Sequence, residues 1–152
     1  GEAMVRLRDG RFLVFAEADP KGVVGSAPLL LFAGDPAGSK TAVTPLRFAP
    51  PPGYRPTDAA QLPDGRILML LRHFALPVRW RTRLVVMDLA ALKPGTPLRG
   101  QEIARLEPPM ITDDFEAMAV TQEKRRTIIW LASDDNFWPI QQTYLLKFAL
   151  KD

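Results

Sequence analysis

The sequence predicts an all-β fold, a β-propeller of about three four-stranded blades, on three observations. A unit made of an acid, small apolar residues, an alternating strand, a turn and an apolar run ending in charge occurs three times. Its leading acids, Glu2, Asp58 and Glu116, are 56 and 58 residues apart, a period that fits blades of a radial repeat. The segments between them alternate apolar and polar residues, are rich in β-branched and aromatic side chains, and are bounded by turn residues.

The first unit reads Glu2-Ala3-Met4, Asp9-Gly10, Phe12 to Phe15 and Glu17. The second reads Asp58-Ala59-Ala60, Asp64-Gly65, Ile67 to Leu71 and Arg72-His73. The third reads Glu116-Ala117-Met118, a longer polar turn at Gln122 to Arg126, Ile128 to Ala132 and Asp134-Asp135. The repeats span about 1–50, 51–107 and 108–152 of one partial propeller, residues 1–152.

Taken in order, the expected strands of the first repeat are 3–8, 11–16, 27–33 and 43–48. Asp9-Gly10 closes the first hairpin as a two-residue turn, because such turns need positive φ at both central positions. That turn sets Glu2 across from Glu17. The second repeat gives 58–62, 66–72, 82–89 and 101–106, with Asp64-Gly65 as the same turn. The third gives 116–121, 127–133 and 142–149, with no fourth strand. Propellers close with about four to eight blades. The expectation is therefore half of a six-bladed ring, completed by a second copy or by a missing N-terminal half.

Composition removes several function classes. The 152 residues carry a net charge of +3 and 47% hydrophobic residues, and no repeat has the dense basic stripe that nucleic-acid binding requires. No apolar run reaches the length of a membrane span. With no cysteine, disulfides and thiolate metal sites are excluded.

The strand starts place chemistry at one rim. If the first strand of each blade is innermost, Glu2, Asp58 and Glu116 converge on the central channel, with Glu17, Asp134 and Asp135 behind them. Like charges at facing positions cost stability unless something compensates. Oxygen ligands without thiolates suit a hard cation, Ca²⁺ first and Mg²⁺ next. The plainer alternative is solvated acids capping loops. Arg72 and His73 stand where the other repeats have acids. An arginine fork suits a phosphoryl or carboxylate group, and the alternative for Arg72 is an ion pair with Asp58 or Glu116. His73, the only histidine, is a candidate acid or base or a simple polar contact in a loop. Phe74, Trp80, Phe137 and Trp138 fall in rim loops, and Met4, Met69, Met87 and Met118 are expected in the core. Asp113-Asp114 reads as a turn.

Several of these motifs belong together. Gly1-Glu2-Ala3-Met4, Pro56-Thr57-Asp58-Ala59 with Leu62-Pro63-Asp64-Gly65-Arg66, Asp114-Phe115-Glu116-Ala117-Met118-Ala119 and Ser133-Asp134-Asp135-Asn136-Phe137 resemble the phytase-like family with esterase-like activity. The likeness runs through nearly the whole chain and is densest in the third repeat. It implies a β-propeller, export to the periplasm or the extracellular space, and Glu2, Asp58, Glu116, Asp134 and Asp135 as the acids of a phosphoesterase-like centre.

The expected function is an exported, metal-dependent hydrolase of phosphoric esters acting on a small anionic substrate. Ca²⁺ would be held by Glu2, Glu17, Asp58, Glu116, Asp134 and Asp135. Arg72 would orient the phosphoryl group, and Glu116 or His73 would move the proton. Two alternatives share the fold: a non-catalytic binding module with a structural Ca²⁺, and a lactonase or carboxylic esterase.

Overall fold

The computed structural model describes residues 3–16, 25–76, 79–135 and 142–151. Three antiparallel sheets lie in chain order. The first runs β1 to β4, Ala3–Arg6, Phe12–Phe15, Ala27–Phe32 and Val43–Phe48. The second runs β5 to β8, Arg55–Gln61, Ile67–Ala75, Arg79–Met87 and Gln101–Leu106. The third holds β9 to β11, Phe115–Glu123, Arg126–Ser133 and Leu145–Ala149. Among the described residues there is no α-helix; one 3₁₀ turn, Leu89–Ala91, is capped by Asp88, whose Oδ1 accepts from Ala90 N at 2.8 Å.

The order of strands follows from the hairpins, and the packing of sheets from period-two burial. One face of the first sheet presents Val5, Leu13, Phe15 and Leu29 to Ile67, Met69, Leu71 and Val85 of the second. Phe15 meets Phe48 edge to face at 5.7 Å within this layer. The other face of the second sheet offers Leu68, Leu70, Leu84 and Leu106 to Met118, Ile129 and Leu131 of the third. Strand β6 is buried on both faces, which is why Ile67 to Leu71 is apolar without alternation. The first strands also lie side by side, β1 against β5 and β5 against β9, as innermost strands of neighbouring propeller blades do.

Polar clasps hold the sheets in register. Arg8 donates to the carbonyls of Pro63 at 2.7 Å and Leu62 at 2.9 Å, tying the turn of the first sheet to that of the second. Leu98 exchanges backbone bonds of 2.8 Å with Arg47 and Ala49 beside β4.

Three expectations need correction. The first two hairpins have three-residue loops: Leu7 N donates to Arg11 O at 2.8 Å, Leu62 N to Arg66 O at 2.8 Å, and only Gly10 and Gly65 take positive φ, +89° and +94°. This is the turn-plus-bulge loop of antiparallel hairpins. Ala3 therefore pairs with Phe15, one step away from the register that set Glu2 across from Glu17. Those two acids lie outside the described residues. Met4, expected in the core, is 57% exposed, because it occupies the face of the first sheet turned away from the second. Strands β6 and β7 run through the segment read as a rim loop, so His73, Phe74 and Trp80 are strand residues.

Candidate functional site

Two β-bulges shape the rim between the second and third sheets. In β5 the pairing steps from Pro56 to Asp58 while β6 advances by one residue, leaving Thr57 as the extra residue. In β9 it steps from Ala117 to Phe115, leaving Glu116 extra. Bulges re-aim side chains and sharpen local twist. Counted from the bulge, Glu116 is the counterpart of Thr57, and Asp58 the counterpart of Ala117. The aligned acids of the repeat therefore do not occupy equivalent positions.

Their contacts differ accordingly. Asp58 Oδ1 accepts from Ala59 N at 2.8 Å and Oδ2 from Met118 N at 2.7 Å, so both oxygens hold backbone. Glu116, 43% exposed, meets Arg72 Nη1. The same Nη1 also binds Oδ1 of Asp114, whose side chain is 3% exposed. Asp114 is fixed in turn: its N–H donates to Asp113 Oδ1 at 2.7 Å, and its carbonyl accepts from Asp134 N at 3.0 Å. One arginine of the second sheet thus joins a buried and an exposed carboxylate of the third.

Arg72 remains a cation there. Burial opposes its charge, but the hydrogen bond and charge of Asp114, then those of Glu116, outweigh it and raise its pKa above the ordinary arginine value. Its guanidinium lies over the Trp80 ring, 5.3 Å from the centroid, the geometry of a cation–π contact. Its Nε and Nη2 have no acceptor among the described residues.

Beside the cluster is a cleft of about 500 Å³ lined by Gly53, Arg55, Arg72, His73, Phe74 and Trp80. The Tyr54 ring packs on His73 at 5.3 Å. Gly53 has φ +79°, and a Cβ there would lie 2.6 Å from His73 Cδ2, so a glycine is what lets the imidazole reach this place. His73 Nδ1 is buried with no hydrogen-bond partner among the described residues.

The residues singled out from sequence are therefore divided. Arg72, Glu116 and His73 share one rim, and the Arg72–Glu116 ion pair is present. Asp58 faces the seam backbone, and Asp134 and Asp135 follow β10, with the Asp134 N–H bonded to the Asp114 carbonyl. Phe137 and Trp138 lie outside the described residues, as do Glu2 and Glu17. Among the described residues no three His, Asp or Glu side chains form a group able to hold a metal ion; the charge between Asp114 and Glu116 is that of a guanidinium. Of the six acids expected to hold Ca²⁺, Asp58 is engaged by backbone N–H groups and Glu116 by Arg72.

A family model described as Phytase-like, esterase-like activity of phytase, matches residues 1–137. The chain belongs to the Phytase-like family. No curated protein and no solved structure matched it. In this Phytase-like chain the residue that sequence reasoning undervalued is Asp114. The available signal was an Asp-Asp pair directly before the apolar start of β9, since a carboxylate drawn into a core edge requires a cationic partner, and Arg72 ends the facing apolar run.

Proposed function

We propose that this chain carries the hydrolytic rim of an esterase acting on anionic esters, phosphoric esters first. The observation that supports it is the joining of one guanidinium to two carboxylates of unlike exposure beside a cleft. Asp114 anchors Arg72. The Nε and Nη2 donors of Arg72 take the phosphoryl oxygens, a pairing suited to the planar fork.

Glu116, exposed and held by Arg72, accepts the proton of an attacking water. The water oxygen bonds to phosphorus as the ester P–O bond breaks, and the alkoxide leaves with a proton from solvent. General-base assistance of this kind contributes roughly a hundredfold or more.

Hydrolysis of phosphate mono- and diesters, with and without chelator, tests the proposal. Turnover should persist in chelator, fall about a hundredfold or more in Glu116→Gln, and fall in Arg72→Lys, which keeps charge but loses the fork. A parent chain that cleaves neither ester class, or a Glu116→Gln variant as active as the parent, removes the reading. Loss of all turnover with chelator would return the reaction to a metal. The export implied by the family resemblance is checked by fractionating cells that make the protein.

A further inference from the structure

The hairpin of β6 and β7 outruns the sheet that carries it. Strand β5 pairs with β6 only as far as Arg72, and β8 pairs with β7 only from Thr82. Beyond those points β6 and β7 continue to pair, His73 with Arg81, Phe74 with Trp80 and Ala75 with Arg79. The result is a two-stranded arm standing past the rim.

A bare hairpin is marginally stable in water, and side chains at the base hold this one. The rings of Phe74 and Trp80 meet at 4.6 Å, Arg72 lies over Trp80, and His73 packs on Tyr54. Yet the packing is incomplete. Phe74 is 48% exposed, and Trp80 Nε1, like His73 Nδ1, is buried without a hydrogen-bond partner among the described residues, a desolvation that is not repaid. The arm contributes His73, Phe74 and Trp80 to the cleft that Gly53, Arg55 and Arg72 also line. Its volume is in the range of small-ligand pockets.

We propose that the arm selects the substrate: the cleft takes an anion carried on a flat ring, such as an aryl phosphate. The ring lies on the Phe74–Trp80 pair while the anion meets Arg72, whose guanidinium is 5.3 Å from the Trp80 ring centroid. A cation on Trp80 next to the half-exposed Phe74 ring is complementary to a ligand whose negative group and ring are joined by a single ester oxygen. This rests on the reading of Arg72 and Glu116 as a hydrolytic pair, and adds which esters that pair receives.

Phenylphosphonate and methylphosphonate, which are not esters and are not cleaved, serve as binding probes by calorimetry, beside steady-state turnover of phenyl phosphate and glycerol 2-phosphate. Phenylphosphonate should bind roughly three- to tenfold more tightly than methylphosphonate, the worth of an aromatic contact, and kcat/KM should favour phenyl phosphate similarly. Trp80→Ala and Phe74→Ala should each bring the binding ratio towards one, and Trp80→Phe, which keeps a ring and guards against misfolding, should retain most of it. Equal affinities for the two phosphonates in the parent chain, or a ratio that survives both alanine variants, overturns the proposal. A preserved ratio with no turnover of either ester supports the ring-and-anion cleft and removes the hydrolase. Turnover of both esters at equal kcat/KM with equal binding does the reverse.

Discussion

Asp58 Oδ2 accepts the backbone N–H of Met118 at 2.7 Å, so a carboxylate on the first strand of the second sheet is bonded to the first strand of the third. Thr57 Oγ1 adds a longer contact of 3.4 Å to Phe115 O across the same seam. Asp58→Ala leaves the Met118 N–H in a part-buried seam with nothing to bond, at a cost of about 1–3 kcal/mol. Asp58→Asn, which keeps an acceptor oxygen, should cost less. Urea unfolding with and without added Ca²⁺ measures both. A loss seen only when Ca²⁺ is present would make Asp58 a metal ligand instead of a seam residue.

Arg72 and Asp114 are a second pair across that seam, and here the charge is deeper. Arg72→Met removes the guanidinium from Asp114, which is 3% exposed. Removing one partner of a buried pair costs about 3–5 kcal/mol. Asp114→Asn in the same background should recover part of the loss, since the buried charge that faced Arg72 is then gone. A double-mutant cycle read by thermal unfolding gives the coupling. Additive losses would show that the two residues stabilise the protein independently.

The turns of the first two hairpins give a prediction in pH. The Arg11 side chain, then its backbone N–H, holds the Asp9 carboxyl below the ordinary aspartate value of 3.8. Arg66 does the same for Asp64, its side-chain hydrogen bond outweighing the upward push of burial. A depressed folded pKa contributes stability that is fully present above 3.8 and fades as pH falls through the folded value. Both pairs are on the surface, so the effect on global stability should be small. The direct measurement is a carboxyl NMR titration. Arg11→Gln should return Asp9 towards 3.8 and leave Asp64 where it was; an Asp9 midpoint unmoved by that change would contradict the assigned cause.

How far the sequence could be read depended on which groups were buried. The middle strands were legible because Leu13 and Phe15, Ile67 to Leu71, and Ile129 and Leu131 fill layers between sheets. The bulges were not, since the extra residue at Thr57 or Glu116 leaves no mark in composition or period. Aligning Asp58 with Glu116 was therefore off by one position, and the picture of equivalent acids followed from that slip. The arm escaped for a different reason. Alternation records one buried face, and past Arg72 and Thr82 the two strands have no sheet on either side, so His73 to Arg81 looked like a loop.

The third sheet gives the last prediction. Its strand β11 bonds to β10 on one side, whereas the corresponding strands β3 and β7 are covered by β4 and β8. Among the described residues nothing pairs with the outer edge of β11, and Leu145 is 67% exposed. One face is guarded: Lys147 Nζ lies 4.8 Å from the Trp130 ring centroid and 2.7 Å from Glu123 Oε1. The edge itself is a template for another strand. The isolated chain should therefore associate with rising concentration in light scattering, and Leu145→Lys, which places a charge at the start of the edge, should raise the concentration needed several-fold. A parent chain that stays monomeric at every concentration, or a variant that associates as readily as the parent, would mean that β11 is not the surface through which copies meet.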